Sequence, residues 1–200
     1  MIKYGEIEYL LNLGCKFDTI KSHTVYKLKY IEDYVNNWIR VAPNCSKKVI
    51  FIDSMCNAGL YANGYLCTSI NILNLFIDYA IKNPNVFFQL YLNDYDVHKI
   101  KVLKEIISFY NLRLKNIKNL YIDIQCEDVT TYISKMGNYF STIKDSMIIL
   151  YVDPYKFGIE GLLLSIENFI NKVYCELIFN YFSSDITRNL NNKSCPKKSE

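Results

Sequence analysis

Five short runs rich in apolar, β-branched and aromatic residues recur along this chain, and a stretch of helical character separates each from the next. The runs are KVIFID at 48–53, VFFQLYLND at 86–94, LYIDIQCED at 120–128, SMIILYVD at 146–153 and CELIFNYF at 175–182. Between them lie SINILNLFIDYAIK at 69–82, a segment over about 96–110, TTYISKMGNYF at 130–140 and IEGLLLSIENFINKV at 159–173. Such alternation leaves few solutions: the strands lie parallel, and the crossover helices cover both faces of the sheet. The run at 146–153 is nearly unbroken in apolar character, as expected of a strand covered on both faces. The expected fold class is therefore α/β, an open, doubly wound, mostly parallel sheet. One further helix is predicted ahead of the first strand. Val25, Leu28, Ile31, Val35, Trp38 and Ile39 recur at spacings of three and four, Ser22 or Thr24 can cap the start, and Pro43 with Asn44 stops it. It is expected to pack outside the alternating units or over the binding edge. Tyr26, Tyr30 and Tyr34 follow helical spacing too, and they read with Trp38 as core or domain contacts before a base-stacking platform.

A chain of 200 residues suits one domain with a real core. The expected division is a helical extension at 1–47, a main domain at 48–190 and a polar tail at 191–200. The net charge of +3 is too small to argue for nucleic acid by itself. The densest positive run, Lys193, Lys197 and Lys198, reads as a solvated end. The first residues lack a signal-peptide pattern, and no 18-residue apolar stretch exists, so a cytoplasmic protein without a membrane span is expected. The seven cysteines are odd in number and form no C-x-x-C pair. Zinc or iron–sulfur ligation is poorly supported, no metal site is expected, and free, mostly buried thiols are the plain reading.

Ligands of doubly wound sheets bind beyond the carboxyl ends of the strands, so the polar residues there carry the functional reading. The first strand runs into Asp53, with Ser54, Cys56, Asn57 and Gly59 in the following turn. A glycine permits tight backbone geometry and close ligand approach, and a following helix can offer free N–H groups to a carboxylate or phosphate. An ordinary tight turn explains the same residues. The second strand ends in Asn93, Asp94 and Asp96, where an acid can accept from both ribose hydroxyls or cap a helix. Asp128, after the third strand, can accept from an adenine amino group or cap the helix at 130. The fourth strand ends in Asp153-Pro154-Tyr155: a carboxylate, a rigid proline and a ring suit a planar, amine-bearing substrate, though the tripeptide is also a good turn. Two acids for ribose and adenine with one glycine turn suit S-adenosylmethionine (SAM) somewhat better than a dinucleotide, which prefers three glycines.

Four segments, SHTVYKLKYIEDYVNNW, FIDSMCNAG, ILYVDPYKFG and ELIFNYFSSDITRN, occur in this order over most of 21–190 and resemble the three-Cys-motif partner proteins (TcmP). The resemblance implies a Rossmann-like fold of the class I SAM-dependent methyltransferase type. It also implies a partner that carries a three-cysteine motif and resembles radical-SAM proteins. Asp53, Asn57 and Gly59 match the cofactor loop, Asp94 the acid after the second strand, and Asp153, Pro154 and Tyr155 the D-P-Y motif. His23 matches the histidine of the leading helix, and Asn180 and Arg188 match the last motif. The loop Met55-Cys56-Asn57-Ala58-Gly59 departs from the family's F-A-G-x-G by one glycine. The family continues beyond the last arginine, so a chain ending at Glu200 is expected to be a short or truncated member. The function expected is methyl transfer from SAM to an amine nitrogen, with a nucleic-acid base as the acceptor to try first. The alternative is a SAM-binding or non-catalytic scaffold for the three-cysteine partner.

Overall fold

The structure, a computed structural model, describes residues 8–10, 13, 16–154 and 161–180. Its main elements are α1 (Ser22–Cys45), β1 (Lys48–Asp53), α2 (Thr68–Lys82), β2 (Phe87–Asn93), α3 (Val97–Ser108), α4 (Asn111–Leu114), β3 (Leu120–Gln125), α5 (Val129–Phe140), β4 (Met147–Val152), α6 (Leu162–Lys172) and β5 (Glu176–Phe179). The strands form one sheet in the order β3-β2-β1-β4-β5, and every neighbouring pair is parallel. This is a Rossmann-like, doubly wound α/β fold. Chain order reverses at β1, which places a crevice where β1 and β4 end. Asp53 pairs in register with Leu92 on one side and Tyr151 on the other, so Asp94 and Asp153 follow closely on their own strands.

The apolar runs explain the layers. In β1, Val49 and Phe51 face one cluster with Val35 and Ile39 of α1, Phe76 of α2 and Leu103 of α3. Ile50 and Ile52 face the other, with Ile133 and Phe140 of α5 and Phe169 of α6. All four β1 side chains are fully buried, the pattern of a central parallel strand. Each such side chain stabilises the fold by about 1.5–3 kcal/mol.

Several boundaries differ from the sequence reading. Helix α1 runs through Pro43 to Cys45 instead of stopping before it. The proline lies in the last turn, where the missing N–H removes one bond and leaves little helix to break. Lys21, not Ser22 or Thr24, is the N-cap of α1, and no side chain caps it. Strand β3 ends at Gln125, short of the acids, because the Glu127 N–H donates to the Asn93 side chain at 3.0 Å. Helix α4 was not foreseen; its four residues carry no apolar period. The described cysteines are free, yet only Cys56 and Cys67 are buried, while Cys45 and Cys126 are exposed. Among the described residues no helix is long and apolar enough to cross a membrane.

Candidate functional site at the carboxyl edge of the sheet

The loop after β1 is built from its own hydrogen bonds. Ser54 N–H donates to Tyr151 O at 3.1 Å, and Cys56 N–H to Asn93 O at 2.7 Å. Met55 N–H donates to Asp53 Oδ1 at 3.2 Å, Asn57 N–H to Asp94 Oδ2 at 3.0 Å, and Ala58 N–H to Asn57 Oδ1 at 2.7 Å. Asn57 takes a left-handed conformation (φ 59°), which asparagine tolerates better than most side chains; this is the position where the resembling family carries glycine. Gly59 also has a left-handed φ of 81°, and a Cβ there lies 2.8 Å from Leu103 Cδ1 and 3.1 Å from Ile70 Cγ1. The turn and the core therefore require this glycine, which is the tight backbone geometry that the sequence suggested. The N–H groups of the loop itself are already engaged. The amides of 54–58 are paired internally, and α2 begins only at Thr68, after a turn closed by a Leu60–Leu66 bridge.

Asn93, fully buried, fastens three strand ends. Its Nδ2 donates to Ser54 O and to Glu127 O, each at 3.1 Å, and its Oδ1 accepts from Glu127 N–H. Asp94, also buried, accepts from Asn57 N–H on one oxygen and from Asp96 N–H at 3.0 Å on the other. Burial raises its pKa. Asp96 caps α3. Asp128 caps α5, accepting from the Thr130 hydroxyl, from Thr130 N–H at 2.9 Å and from Thr131 N–H at 3.2 Å; these bonds hold its carboxyl below the ordinary range. Capping, one of the two readings open for Asp128, is thus realised. Ser54, Asp94 and Asp128 nonetheless come together, with Met55, Asn93, Tyr95 and Val129, around one cavity of about 100 Å³.

Asp53 and Asp153 make the second half of the site. Asp53 is 1% exposed, and among the described residues its second oxygen accepts no hydrogen bond. Burial pushes its pKa well above the usual carboxylate range; the charges of Asp153 and Asp94 act the same way, and Lys27 opposes them. Asp153 accepts from Lys27 Nζ at 2.6 Å and from the Tyr151 hydroxyl at 3.0 Å on Oδ2, and from Asn180 Nδ2 at 2.6 Å on Oδ1. Pro154 behind it is buried. Tyr155 and Arg188 lie outside the described residues. His23 is exposed on the first turn of α1 and does not join the cluster.

Sequence reasoning missed Lys27, Tyr151 and Asp18. Tyr151 was readable, since residues two apart on a strand share a face. Asp18 lies over the loop, accepting from Asn57 Nδ2 at 3.2 Å and pairing with Lys99 at 3.4 Å. Nothing in the sequence separates Lys27 from the other lysines.

The donor set decides what fits. Acids line the crevice, which favours a positively charged group over an anion, and the amides of 54–58 are already paired and offer a phosphate nothing. The cavity is smaller than the roughly 300–1,000 Å³ of a whole ligand site and suits a ring-sized fragment. A hollow of about 530 Å³ lies elsewhere, along β2 and β3 beside α5, lined by Tyr91, Tyr121, Asp123, Lys135 and Tyr139. Among the described residues no group of three or more His, Cys, Asp or Glu is placed to hold a metal ion. No protein-family model matches the chain, and no curated protein matches it.

Proposed function

We propose that this chain is a SAM-dependent methyltransferase-like protein that binds its cofactor at the carboxyl edge of the sheet and directs a methyl group to an amine nitrogen. The observation that carries this reading is the gathering of Ser54, Asp94 and Asp128 around one cavity, with the carboxylates of Asp53 and Asp153 nearby. When bound, SAM supplies an electrophilic methyl group on a positively charged sulfur. Asp94 has lone pairs left for ribose hydroxyls after its two backbone bonds, and Asp128 and Val129 border the place of the base. Asp53 supplies negative charge for the positive part of the ligand. Asp153, oriented by Tyr151 and Asn180, holds the acceptor amine, with Pro154 and Tyr155 following it. Such transfer relies on proximity and orientation more than on a dedicated base. A nucleic-acid acceptor draws no support from the small net charge.

Titration calorimetry with SAM and with S-adenosylhomocysteine tests the reading on wild type, Asp94→Asn and Asp128→Asn. Saturable binding, weakened at least tenfold in Asp94→Asn, is expected. No heat at saturating ligand would overturn cofactor binding by this chain alone.

A second reading, a scaffold for the three-cysteine partner, is favoured by two observations. The loop amides are already paired, and Tyr26, Tyr30 and Tyr34 form an exposed stripe on α1. Absence of SAM binding together with co-purification of that partner would favour it.

A further inference from the structure

We propose that Asp153, held by Tyr151 and Asn180, is an ammonium-binding subsite, and that Lys27 of the same chain is its resident occupant, displaced when an aliphatic amine enters. The two neutral donors belong to the sheet. Tyr151 precedes Asp153 by two residues on β4, and Asn180 follows β5, anchored by its N–H to Val152 O at 3.0 Å. Both are fixed relative to the carboxylate. A carboxylate offers about four acceptor positions, so these bonds leave room for a charged donor. Lys27 fills that room at 2.6 Å, and it comes from outside the sheet, on the flexible stem of a lysine.

The place is chosen by charge. Among the described residues, the Asp153 carboxylate otherwise meets the neutral donors Tyr151 and Asn180. An ammonium there answers its charge, as Lys27 does at 2.6 Å. The amino group of a nucleic-acid base is neutral and would leave that charge unanswered. The subsite therefore selects an aliphatic, protonated amine over the base amine that the sequence suggested.

Exchange is open to solvent. The Lys27 and Asp153 side chains are 26% and 22% exposed, so neither is sealed from water. A soluble ammonium therefore has a route to the carboxylate while Lys27 swings out on its own stem. Helix α1 need not leave with the side chain. Leu28, Ile31, Val35, Trp38 and Ile39 anchor it in the core, and the Tyr34 hydroxyl donates to Glu176 of β5. The subsite stands on this geometry alone; its use in catalysis rests on the methyl-transfer reading and requires the bound ammonium first to give a proton to Asp153 or to water, because only the free amine has the lone pair that takes the methyl group.

The test is chemical rescue in the full chain. The thermal midpoint of Lys27→Ala is followed against methylammonium chloride, with sodium chloride and tetramethylammonium chloride at matched ionic strength. A saturable rise with methylammonium only is expected, and it should vanish in Lys27→Ala/Asp153→Asn. Equal responses to the three salts, or rescue that survives Asp153→Asn, would overturn the proposal. Wild type gives an independent measure should Lys27→Ala not fold. Acetylation of Lys27 relative to the exposed Lys29, read by peptide mass spectrometry, should rise with methylammonium; an unchanged ratio counts against displacement. Neither measurement uses SAM, so failure here and failure of cofactor binding are told apart.

Discussion

Asp53 carries a carboxylate 1% exposed beside two other acids, and burial, the largest cause, holds its pKa well above the ordinary value. The sign of the linkage follows. A carboxyl whose folded pKa is raised binds its proton more tightly folded than unfolded, so its stabilisation is complete below the unfolded value of about 3.9 and is lost as pH rises through the raised value. Asp53→Asn keeps the Met55 N–H acceptor and removes the charge. Its thermal midpoint should gain on wild type as pH rises above about 4; parallel midpoint–pH curves would contradict this. A cation seated beside Asp53 favours the ionised form, so binding of a positively charged ligand should release protons and tighten with pH, visible as buffer-dependent heats in calorimetry. Gly59 gives a second residue-scale prediction. Gly59→Ala forces a Cβ to 2.8 Å from Leu103 in a left-handed conformation and should cost about 2 kcal/mol in urea unfolding. Asp53, Asp94 and Asp153 were legible because strand ends in a parallel sheet announce themselves as acids after apolar runs. Lys27 was not, because its partner lies 126 residues away and no spacing rule joins them.

At the scale of elements, Asn93 joins the ends of β1, β2 and β3 with one side chain. Asn93→Ala strands Ser54 O in a buried place and Glu127 O and N–H in a half-buried one, and should cost about 3 kcal/mol. Hydrogen exchange should speed at 54–57 and 127 before it speeds in β4; uniform loss of protection would argue against a local fastening. The elements themselves were mostly legible. KVIFID is β1 to the residue, and Asn83 closes α2 as its position before Pro84 suggested. Pro43 misleads locally, because a proline in the last turn ends no helix ahead of itself. The length of β3 and the choice between core and contact surface for the tyrosine stripe depend on what lies across space, and local sequence does not carry that. Spaced like a buried stripe, Tyr26, Tyr30 and Tyr34 are exposed, while Trp38 takes the core position.

The whole molecule carries a small net positive charge, yet Asp53, Asp94, Asp96, Asp128 and Asp153 all end or follow strands at one edge of the sheet. Binding of SAM should therefore weaken as salt is raised, and its advantage over the sulfur-neutral S-adenosylhomocysteine should shrink with it. Calorimetry across salt concentrations reads both; salt-independent affinities would place the ligand away from this edge. The self-paired loop has one more consequence. Its amides reach β4 through Ser54 and the end of β2 through Cys56 and Asn57, so the loop and the sheet share their protection from solvent deuterium. In most pockets a ligand slows exchange where it touches. Here, a ligand that draws on these amides must first break bonds the fold already has, and its footprint would be inverted: faster exchange at 54–58 on binding, with protection gained around Tyr95 and Val129.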